Sequence, residues 1–245
     1  MRKLAADLHI HTALSPCASE EMTPTAIVDT AVQRGLGMIA ICDHNSAGNV
    51  AAVQQAAGNE IAVLAGMEIT TSEEAHVIGL FPDAAGASAA SRPVRQTLPE
   101  ADAGTCRRFG DQLFMDAQGR VVGKETKLLA AASGLGLSES VQLIKRHGGI
   151  AVAAHIDRPS FSVLSQLGVF PVDAGFDAVE ISAATAGSAR SAEFASFGLP
   201  VVAASDAHFL SDIGTCRTVF EMSGASFDDL VEGLRGGGGR YTDHA

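Results

Sequence analysis

Short apolar runs alternate along the chain with segments of helical periodicity. The apolar runs predict strands over residues 3–8, 38–42, 62–67, 76–81, 149–154, 178–181 and 200–204. The helical patterns predict helices over residues 24–34, 49–57, 138–147, 189–196 and 227–235. This alternation is typical of βα units around a largely parallel sheet. Seven strands mostly separated by helices favour a closed or nearly closed barrel over a doubly wound sheet.

One segment, from residue 83 to about residue 136, breaks the alternation after the fourth strand. It opens with AAGASAAS and contains LFMDAQGRVVG, which predicts a β-hairpin around Gln118-Gly119. We therefore predict one domain over residues 1–245, with residues 83–136 as an insertion or subdomain. The segment could cover a functional site, or it could be a surface elaboration, and the sequence leaves both open.

The composition excludes several classes of protein. With 47% hydrophobic residues among 245, the chain is globular and not disordered. Its 17 basic and 28 acidic residues give a net charge of −11, which argues against an extended nucleic-acid partner and against an anionic membrane surface. The absence of Trp and the single Tyr remove the usual platform for stacking single-stranded bases.

The cysteines and the N-terminal segment indicate a reducing compartment. Cys17, Cys42, Cys106 and Cys216 form no CxxC pair, and a chain of this size needs no disulfide staples. The opening MRKLAADLHIH lacks the apolar stretch of a signal peptide, and no apolar run approaches the ~18 residues of a membrane span. We expect a cytoplasmic location.

Six of the eight histidines fall in five clusters at apparent strand ends. The clusters are Asp7-Leu-His9-Ile-His11, Asp43-His44-Asn45, Glu68 followed by His76, His155 in AAHIDRP, and Asp206-Ala-His208. Residues two apart on a strand point to the same side, so each such pair could bind one metal centre. A single His or Asp is more often a hydrogen-bonded core residue or a helix cap. Five clusters at one edge of a barrel would repel one another without cations, which favours metal binding.

The ligand types narrow the choice of metal. Imidazoles and carboxylates together suit Zn²⁺, Mn²⁺ or Fe²⁺, whereas an oxygen-ligated Mg²⁺ or Ca²⁺ site would not need so many histidines. We expect two or three divalent ions. Glu68 is the candidate for a bridging carboxylate, because it is the only acid in these clusters without an adjacent ligand.

The motifs DLHIHT, CDHN, GMEITT with HVIGLF, AHIDRP and SDAH resemble those of the PHP (polymerase and histidinol phosphatase) family of metal-dependent phosphoesterases. They run from Asp7 to His208 in the order of the family. The resemblance implies a distorted (β/α)₇ TIM-like barrel with up to three ions at the strand carboxyl ends. It also implies the ligand sets His9, His11, Glu68 and Asp206 for one ion, Glu68, His76 and His155 for a second, and His44 and His208 for a third.

The third set departs from the family pattern. Related proteins commonly read HTxxSDG with a ligating Asp, but here Pro16 occupies that position and is followed by Cys17. Cys17 could ligate as a thiolate, which would favour Zn²⁺. Alternatively, Cys17 is only a buried residue and the third site is weak or empty.

The residues together predict hydrolysis of a small phosphomonoester or nucleotide by a metal-activated water. Glu68, Asp206 and His208 are the catalytic candidates, the last two for ligation or proton transfer. Arg158 could contact a phosphate oxygen, or form a salt bridge to Asp157 or another surface acid. Asp43 could orient a ligand. The alternatives are a nuclease acting on short oligonucleotides and a non-catalytic, metal-binding regulatory domain.

Overall fold

The computed structural model describes residues 1–102, 104, 108–236 and 240–242, so Cys106 lies outside the described residues. The strands are β1 (Arg2–Ile10), β2 (Met38–Ile41), β3 (Ala62–Thr70), β4 (His76–Phe81), β5 (Leu113–Met115), β6 (Val121–Lys124), β7 (Ile150–Ala153), β8 (Ala178–Ile181), β9 (Val201–Ala203), β10 (Arg217–Met222) and β11 (Arg240–Thr242). The α-helices are α1 (Pro24–Gln33), α2 (Val50–Ala57), α3 (Ala84–Thr97), α4 (Leu137–Arg146), α5 (Val163–Leu167), α6 (Ser191–Phe194) and α7 (Phe227–Arg235). Among the described helices, none is long and apolar enough to cross a bilayer.

Nine of these strands form one sheet, in the order β11-β10-β1-β2-β3-β4-β7-β8-β9. The sheet curls until its two ends approach each other. Thr218 in β10 joins them, because its Oγ1 donates to the carbonyl of Ala203 in β9 at 2.9 Å and accepts from the Ala203 amide at 2.8 Å. The result is a nearly closed α/β barrel, which confirms the predicted fold class.

Apolar side chains fill both sides of this curved sheet. One buried cluster takes residues from β1 to β4 and from β7 to β10, together with Leu230 and Leu234 of α7, and it occupies the interior of the barrel. The other lies between the outer face of the sheet and the helices, with Ile27 and Val28 of α1 and Ile144 of α4 among its members. Alternation along each strand supplies the two layers.

The sheet is less parallel than predicted, because two of its strands run in the opposite direction to their neighbours. β4 runs antiparallel to both β3 and β7, and β10 runs antiparallel to β1. His76 therefore begins its strand, yet it pairs with Thr70 at the end of β3 and lies at the same edge as the other clusters. Glu68 lies within β3, which continues to Thr70, and does not follow the strand as predicted.

The segment after β4 is more regular than its sequence suggested. The AAGASAAS run at its start belongs to helix α3. Asp83 caps this helix by accepting from the Gly86 amide at 2.7 Å. Ala87 and Val94 of this helix are buried. The predicted hairpin is confirmed as the antiparallel pair β5 and β6, with Gly119 in the turn at φ +75°.

Candidate metal centre

The HxH pair at the end of β1 is oriented by hydrogen bonds to its outer nitrogens. His9 Nδ1 lies 3.1 Å from Glu180 Oε1, and His11 Nδ1 lies 2.9 Å from Ser15 Oγ. The two Nε2 atoms consequently face inward and lie 3.1 Å apart. Asp206 Oδ1 lies 3.3 Å from the first and 3.0 Å from the second. Fixing Nδ1 in this way is how proteins prepare Nε2 to bind a metal.

An irregularity in β1 allows this pair to face the barrel interior. The pairing of β1 with β2 shifts register between Asp7 and Ile10. Leu8 packs in the interior cluster, and the next residue, His9, also points inward to Glu180. Two consecutive residues on one face are the signature of a β-bulge, a device that re-aims side chains at the rims of barrels.

Glu68 lies at the centre of the site with only 1% of its surface exposed. Its Oε1 is 2.8 Å from His76 Nδ1 and 3.2 Å from His155 Nε2. Its Oε2 is 2.9 Å from His44 Nδ1. The same carboxylate is 3.4 Å from His9 Nε2 and 3.5 Å from His11 Nε2.

Several of these separations are those expected of ligand atoms that share one cation. Ligands bound to one Zn²⁺ at about 2.1 Å lie about 3.0–3.5 Å from one another. In the part of the chain that the structure describes, His44 Nδ1 and Glu68 Oε2 have no hydrogen-bond partner, although they are buried and close together. Buried polar atoms without partners are costly, so their convergence marks a place where an ion could bind.

Three groups of side chains in the described residues have the geometry to hold a metal ion. They are His9, His11, Glu68 and Asp206; His44, Glu68 and His76; and His11, His44 and His208. The first group contains the same residues as the first predicted ligand set. The second predicted set also converges, because His155 Nε2 lies 3.3 Å from His76 Nδ1 and 3.2 Å from Glu68. His11 has only Nε2 available, so it can serve one ion and not two.

The imidazoles keep the central carboxylates ionised. Burial raises the pKa of Glu68, but the His76, His9 and His44 rings bring that pKa well below its usual range. Burial likewise raises the pKa of Asp206, and the neighbouring His9 and His11 rings lower it well below its ordinary value. Both acids are therefore anionic at neutral pH, as ligands of divalent cations must be.

Backbone strain is concentrated at three residues of the site. Asn45, His155 and Asp206 have φ values of 52°, 27° and 51°, which are unusual for residues other than glycine. Each such conformation costs about 1–3 kcal/mol and persists only where its surroundings enforce it. Here Ala207, next to Asp206, donates to the carbonyl of His9 and accepts from the amide of His11.

Buried acids behind the imidazoles hold the loops that carry them. Asp43 accepts from the amide and hydroxyl of Thr12 and from the hydroxyl of Ser15, each at 2.7 Å. Because Ser15 also contacts His11 Nδ1 and the His44 amide, Asp43 orients both imidazole-bearing segments. Asp7 serves the opposite loop through the amide and hydroxyl of Ser205.

Cys17 is exposed and not buried, while the alternative of a weak or empty third site stays open. Its thiol lies beside the rings of His208 and His44. Partial desolvation raises the pKa of the Cys17 thiol, and the two imidazoles more than offset this, giving a value of about 6. The thiol therefore stands next to two of the three members of the third group, and its role as a ligand stays a prediction.

Arg158 lies at the rim of the site and pairs with Asp206, not with Asp157. Asp157 instead accepts from the amide and hydroxyl of Ser182. The Arg158 side chain remains 39% exposed, so its guanidinium borders both the candidate ligands and solvent.

Glu180, a functional residue not predicted from the sequence, lies in β8 and is 1% exposed. Both of its oxygens lie within 3.2 Å of His9 Nδ1, and Oε1 also accepts from the His155 amide. The available signal was a single acid inside the apolar run AVEI, on the interior face of a predicted strand. It was missed because no histidine adjoins it in the sequence.

A nearly closed α/β barrel with imidazoles and carboxylates clustered at one edge is the architecture of a class of metal-dependent proteins. The family model of the PHP domain matches residues 7–163, and a second model, PHP-associated, matches residues 189–238. The chain belongs to the PHP domain family, which confirms the resemblance identified from the motifs.

Individual relatives are more distant. A 3',5'-nucleoside bisphosphate phosphatase from Chromobacterium violaceum is 36% identical over 83 residues, covering 32% of this chain and 28% of that protein. The lesion-specific endonuclease PfuEndoQ from Pyrococcus furiosus superposes with a TM-score of 0.71 at 17% identity, covering 96% of this chain and 56% of its own. An amidohydrolase from Chromobacterium violaceum superposes with a TM-score of 0.62 at 21% identity, covering 98% of both chains. The two structural similarities show the fold alone.

Proposed function

We propose that this protein hydrolyses a phosphoester, either a small phosphomonoester or a nucleotide, by means of a metal-activated water. The observation that carries the proposal is the position of Glu68, whose two oxygens lie against His44 on one side and against His76 and His155 on the other. A carboxylate so placed can bridge two cations. The partial identity to a nucleoside bisphosphate phosphatase supports a small phosphorylated substrate.

Two or three divalent ions, Zn²⁺, Mn²⁺ or Fe²⁺, would be held by these groups of side chains, with His11 serving only one ion. When bound, such ions lower the pKa of water and neutralise the charge on phosphoryl oxygens. Arg158 would add a planar donor for a phosphate oxygen at the rim of the site. Its present partner, Asp206, belongs to the first group, so the guanidinium lies directly beside the candidate centre.

His208 can transfer a proton or bind an ion through Nε2. Its Nδ1 lies 2.9 Å from the Asp206 carbonyl, and because a carbonyl only accepts, Nδ1 carries the hydrogen. Nε2 is then unprotonated in the neutral ring. His208 remains 21% exposed in its side chain, which gives it access to an incoming substrate.

We also propose that the chain is one domain over residues 1–245 and that the described part of the insertion 83–136 forms a wall of the site. Asn45, which follows His44, donates through Nδ2 to the carbonyls of Leu129 and Ala131 at 2.8 and 3.0 Å. The amide of Leu113 donates to the Ala13 carbonyl at 2.9 Å, near the HxH pair. These contacts support a role at the site over a mere surface elaboration. The cytoplasmic location stays a prediction.

Glu68→Gln tests the proposal most directly. The amide keeps the volume but loses the negative charge, so we expect the purified variant to lose bound metal and phosphate release together. Elemental analysis and a phosphate-release assay measure the two quantities on one sample. Glu60→Gln, at an exposed position, is the matched control. Full metal content in the Glu68→Gln variant would contradict the bridging role.

A substrate panel separates the hydrolase from its two alternatives. Metal-loaded protein is assayed with a nucleoside 3',5'-bisphosphate, a nucleoside monophosphate, ribose 5-phosphate and a short single-stranded oligonucleotide. Inorganic phosphate from the small esters supports the proposal. Cleavage of the oligonucleotide alone would favour a nuclease, a possibility to which the PfuEndoQ fold gives support. Metal binding without any turnover would favour a regulatory domain.

A further inference from the structure

Phe161 is a large apolar side chain left on the surface beside the metal centre. It is 44% exposed, and its ring stacks on the imidazole of His76 with centroids 4.9 Å apart and planes inclined by 23°. The ring of His76 covers part of the phenyl group, so the exposed surface lies on the side away from this candidate ligand. Phe161 therefore combines contact with a candidate metal ligand and access to solvent in one aromatic ring.

The backbone of Phe161 is held in an unusual conformation. Its φ of 56° lies in the left-handed region, which bulky residues rarely adopt. The Phe161 carbonyl accepts from the His76 amide at 2.8 Å, which fixes the residue against the first position of β4. Strain that is enforced by the surroundings is characteristic of residues that serve a ligand.

The same short loop presents a positive charge. Ser162, which caps α5 by accepting from the Ser165 amide, also donates its hydroxyl to the carbonyl of Arg158 at 2.8 Å. This contact ties the backbone of Arg158 to the residue that follows Phe161. The loop therefore carries one guanidinium and one aromatic ring, each beside a candidate ligand: Arg158 beside Asp206, and Phe161 beside His76.

We propose that Phe161 stacks on a planar heteroaromatic base of the substrate, while Arg158 and the metal centre receive its phosphate. This inference rests on the proposed phosphoester hydrolysis and narrows its substrate class to nucleoside phosphates. Every nucleobase has a face that can stack on an aromatic ring, so the platform recognises the class and not one base. A mononucleotide and the terminal nucleotide of a short strand both carry this chemistry.

Kinetics on paired substrates test the platform. Removing one aromatic partner of a base lowers affinity by about 5- to 150-fold. We expect Phe161→Ala to lower kcat/KM for a nucleoside monophosphate by a factor in that range, mainly through KM, and to change kcat/KM for ribose 5-phosphate less than about twofold. Phe161→Tyr keeps an aromatic ring, so it should retain the wild-type ratio of kcat/KM between the nucleoside monophosphate and ribose 5-phosphate. Elemental analysis of each variant shows whether the neighbouring His76 still supports metal binding.

A binding measurement separates failure of this inference from failure of the proposed function. The chain contains no Trp, so Phe161→Trp places a single Trp at the platform, whose emission can be excited separately from that of the one Tyr. Quenching by a nucleoside monophosphate, and by a short oligonucleotide if a strand end can enter, but not by ribose 5-phosphate, supports stacking. The absence of quenching, or an equal loss of activity on both substrates in Phe161→Ala, overturns the inference. If the wild type hydrolyses no phosphoester, the proposed function fails, and the quenching still decides whether a base binds.

A second exposed phenylalanine, Phe209, supplies the matched control. Phe209→Leu removes an aromatic plane close in sequence to His208 and leaves Phe161 in place. We expect this variant to keep the wild-type ratio of kcat/KM between the nucleotide and ribose 5-phosphate. Loss of base discrimination in Phe209→Leu, with none in Phe161→Ala, would overturn the assignment of the platform to Phe161.

Discussion

Glu180 shows how a single residue can set the chemistry of its neighbours. Its carboxylate forms a hydrogen bond with Nδ1 of His9, so Nε2 of the same ring is directed at Glu68 and Asp206. Ser15 does the same for His11, with Asp43 behind it. The inner atoms of the candidate centre thus depend on outer partners that contact no ion themselves.

Glu180→Gln should weaken metal binding without unfolding the protein. The amide can still occupy the space beside His9, but it lacks the charge that makes the imidazole a stronger ligand. Mutation of such partners typically costs about 10- to 100-fold in metal affinity, and we expect at least the lower value. A chelator competition titration measures the change, with Glu193→Gln on the exposed face of α6 as the control. An unchanged affinity would show that Glu180 has no influence on the centre.

Residues of the site were predictable from sequence where two candidate ligands lie close together in the chain. His9 with His11 and Asp206 with His208 are pairs two residues apart, and the structure brings both pairs to one place. Glu180 and Ser15 have no such local signal, because each acts on a residue that only the fold brings close. The same holds for Arg158, whose partner proved to be Asp206, 48 positions away.

Elements were predictable where local periodicity reflects burial. The seven predicted strands exist, as does the hairpin of β5 and β6. The direction of β4 was not predictable, because an apolar run reads the same in a parallel and an antiparallel strand. Helix α3 was missed because its start contains Gly86 and its interior contains Pro93, both of which disfavour helices. Packing of Ala87, Ala90 and Val94 outweighs these local preferences.

Strand β10, which the sequence analysis missed, closes the barrel through Thr218. This residue is fully buried, and its hydroxyl satisfies both the amide and the carbonyl of Ala203. Thr218→Val keeps the shape but leaves these two groups unpaired, so we expect a loss of about 1–3 kcal/mol in the free energy of unfolding. Denaturant unfolding measures it. Thr218→Ser retains the hydroxyl and should lose less; equal losses in both variants would assign the effect to packing.

The pair Arg95–Glu125 fastens α3 to the segment after β6 and should make stability depend on pH. Arg95 Nε and Nη2 donate to the two oxygens of Glu125 at 2.8 and 2.6 Å. Burial raises the pKa of Glu125, but Arg95 and the amides of Lys127 and Thr126 bring it below its ordinary 4.5. A lowered pKa means that the folded carboxylate holds its proton less tightly than the unfolded one. Its stabilisation is complete above about pH 4.5 and is lost as the pH falls through the folded pKa.

Glu125→Gln should therefore destabilise the protein at pH 7 more than at pH 3.5. We expect a loss of about 1–2 kcal/mol at pH 7, a modest value because the Arg95 side chain is 46% exposed to screening solvent. Urea unfolding at the two pH values measures the difference, with the exposed Glu221→Gln as control. A loss of the same size at both pH values would assign it to packing and not to ionisation.

At the scale of the whole molecule, the candidate centre joins distant parts of the barrel. His9 and His11 belong to the end of β1, Glu68 to β3, His155 follows β7, and Asp206 follows β9. The chain carries a net charge of −11, and several of its acids are buried at this one edge. Divalent ions bound there would both offset the concentrated negative charge and cross-link strands from opposite sides of the barrel.

Removal of metal should therefore lower the thermal stability of the entire barrel. Ions that bind the folded chain and not the unfolded one stabilise it by about 2.7 kcal/mol when present at 100 times Kd. For a domain of this size each kcal/mol corresponds to about 2–4 °C, so we expect chelation to lower Tm by about 5–10 °C. Scanning calorimetry with and without chelator measures the shift. Glu68→Gln should show a low Tm in both conditions, because it lacks the central ligand. Elemental analysis shows whether the chelator has removed the metal. If the wild-type Tm does not change after the metal is lost, the ions do not bind where these side chains converge.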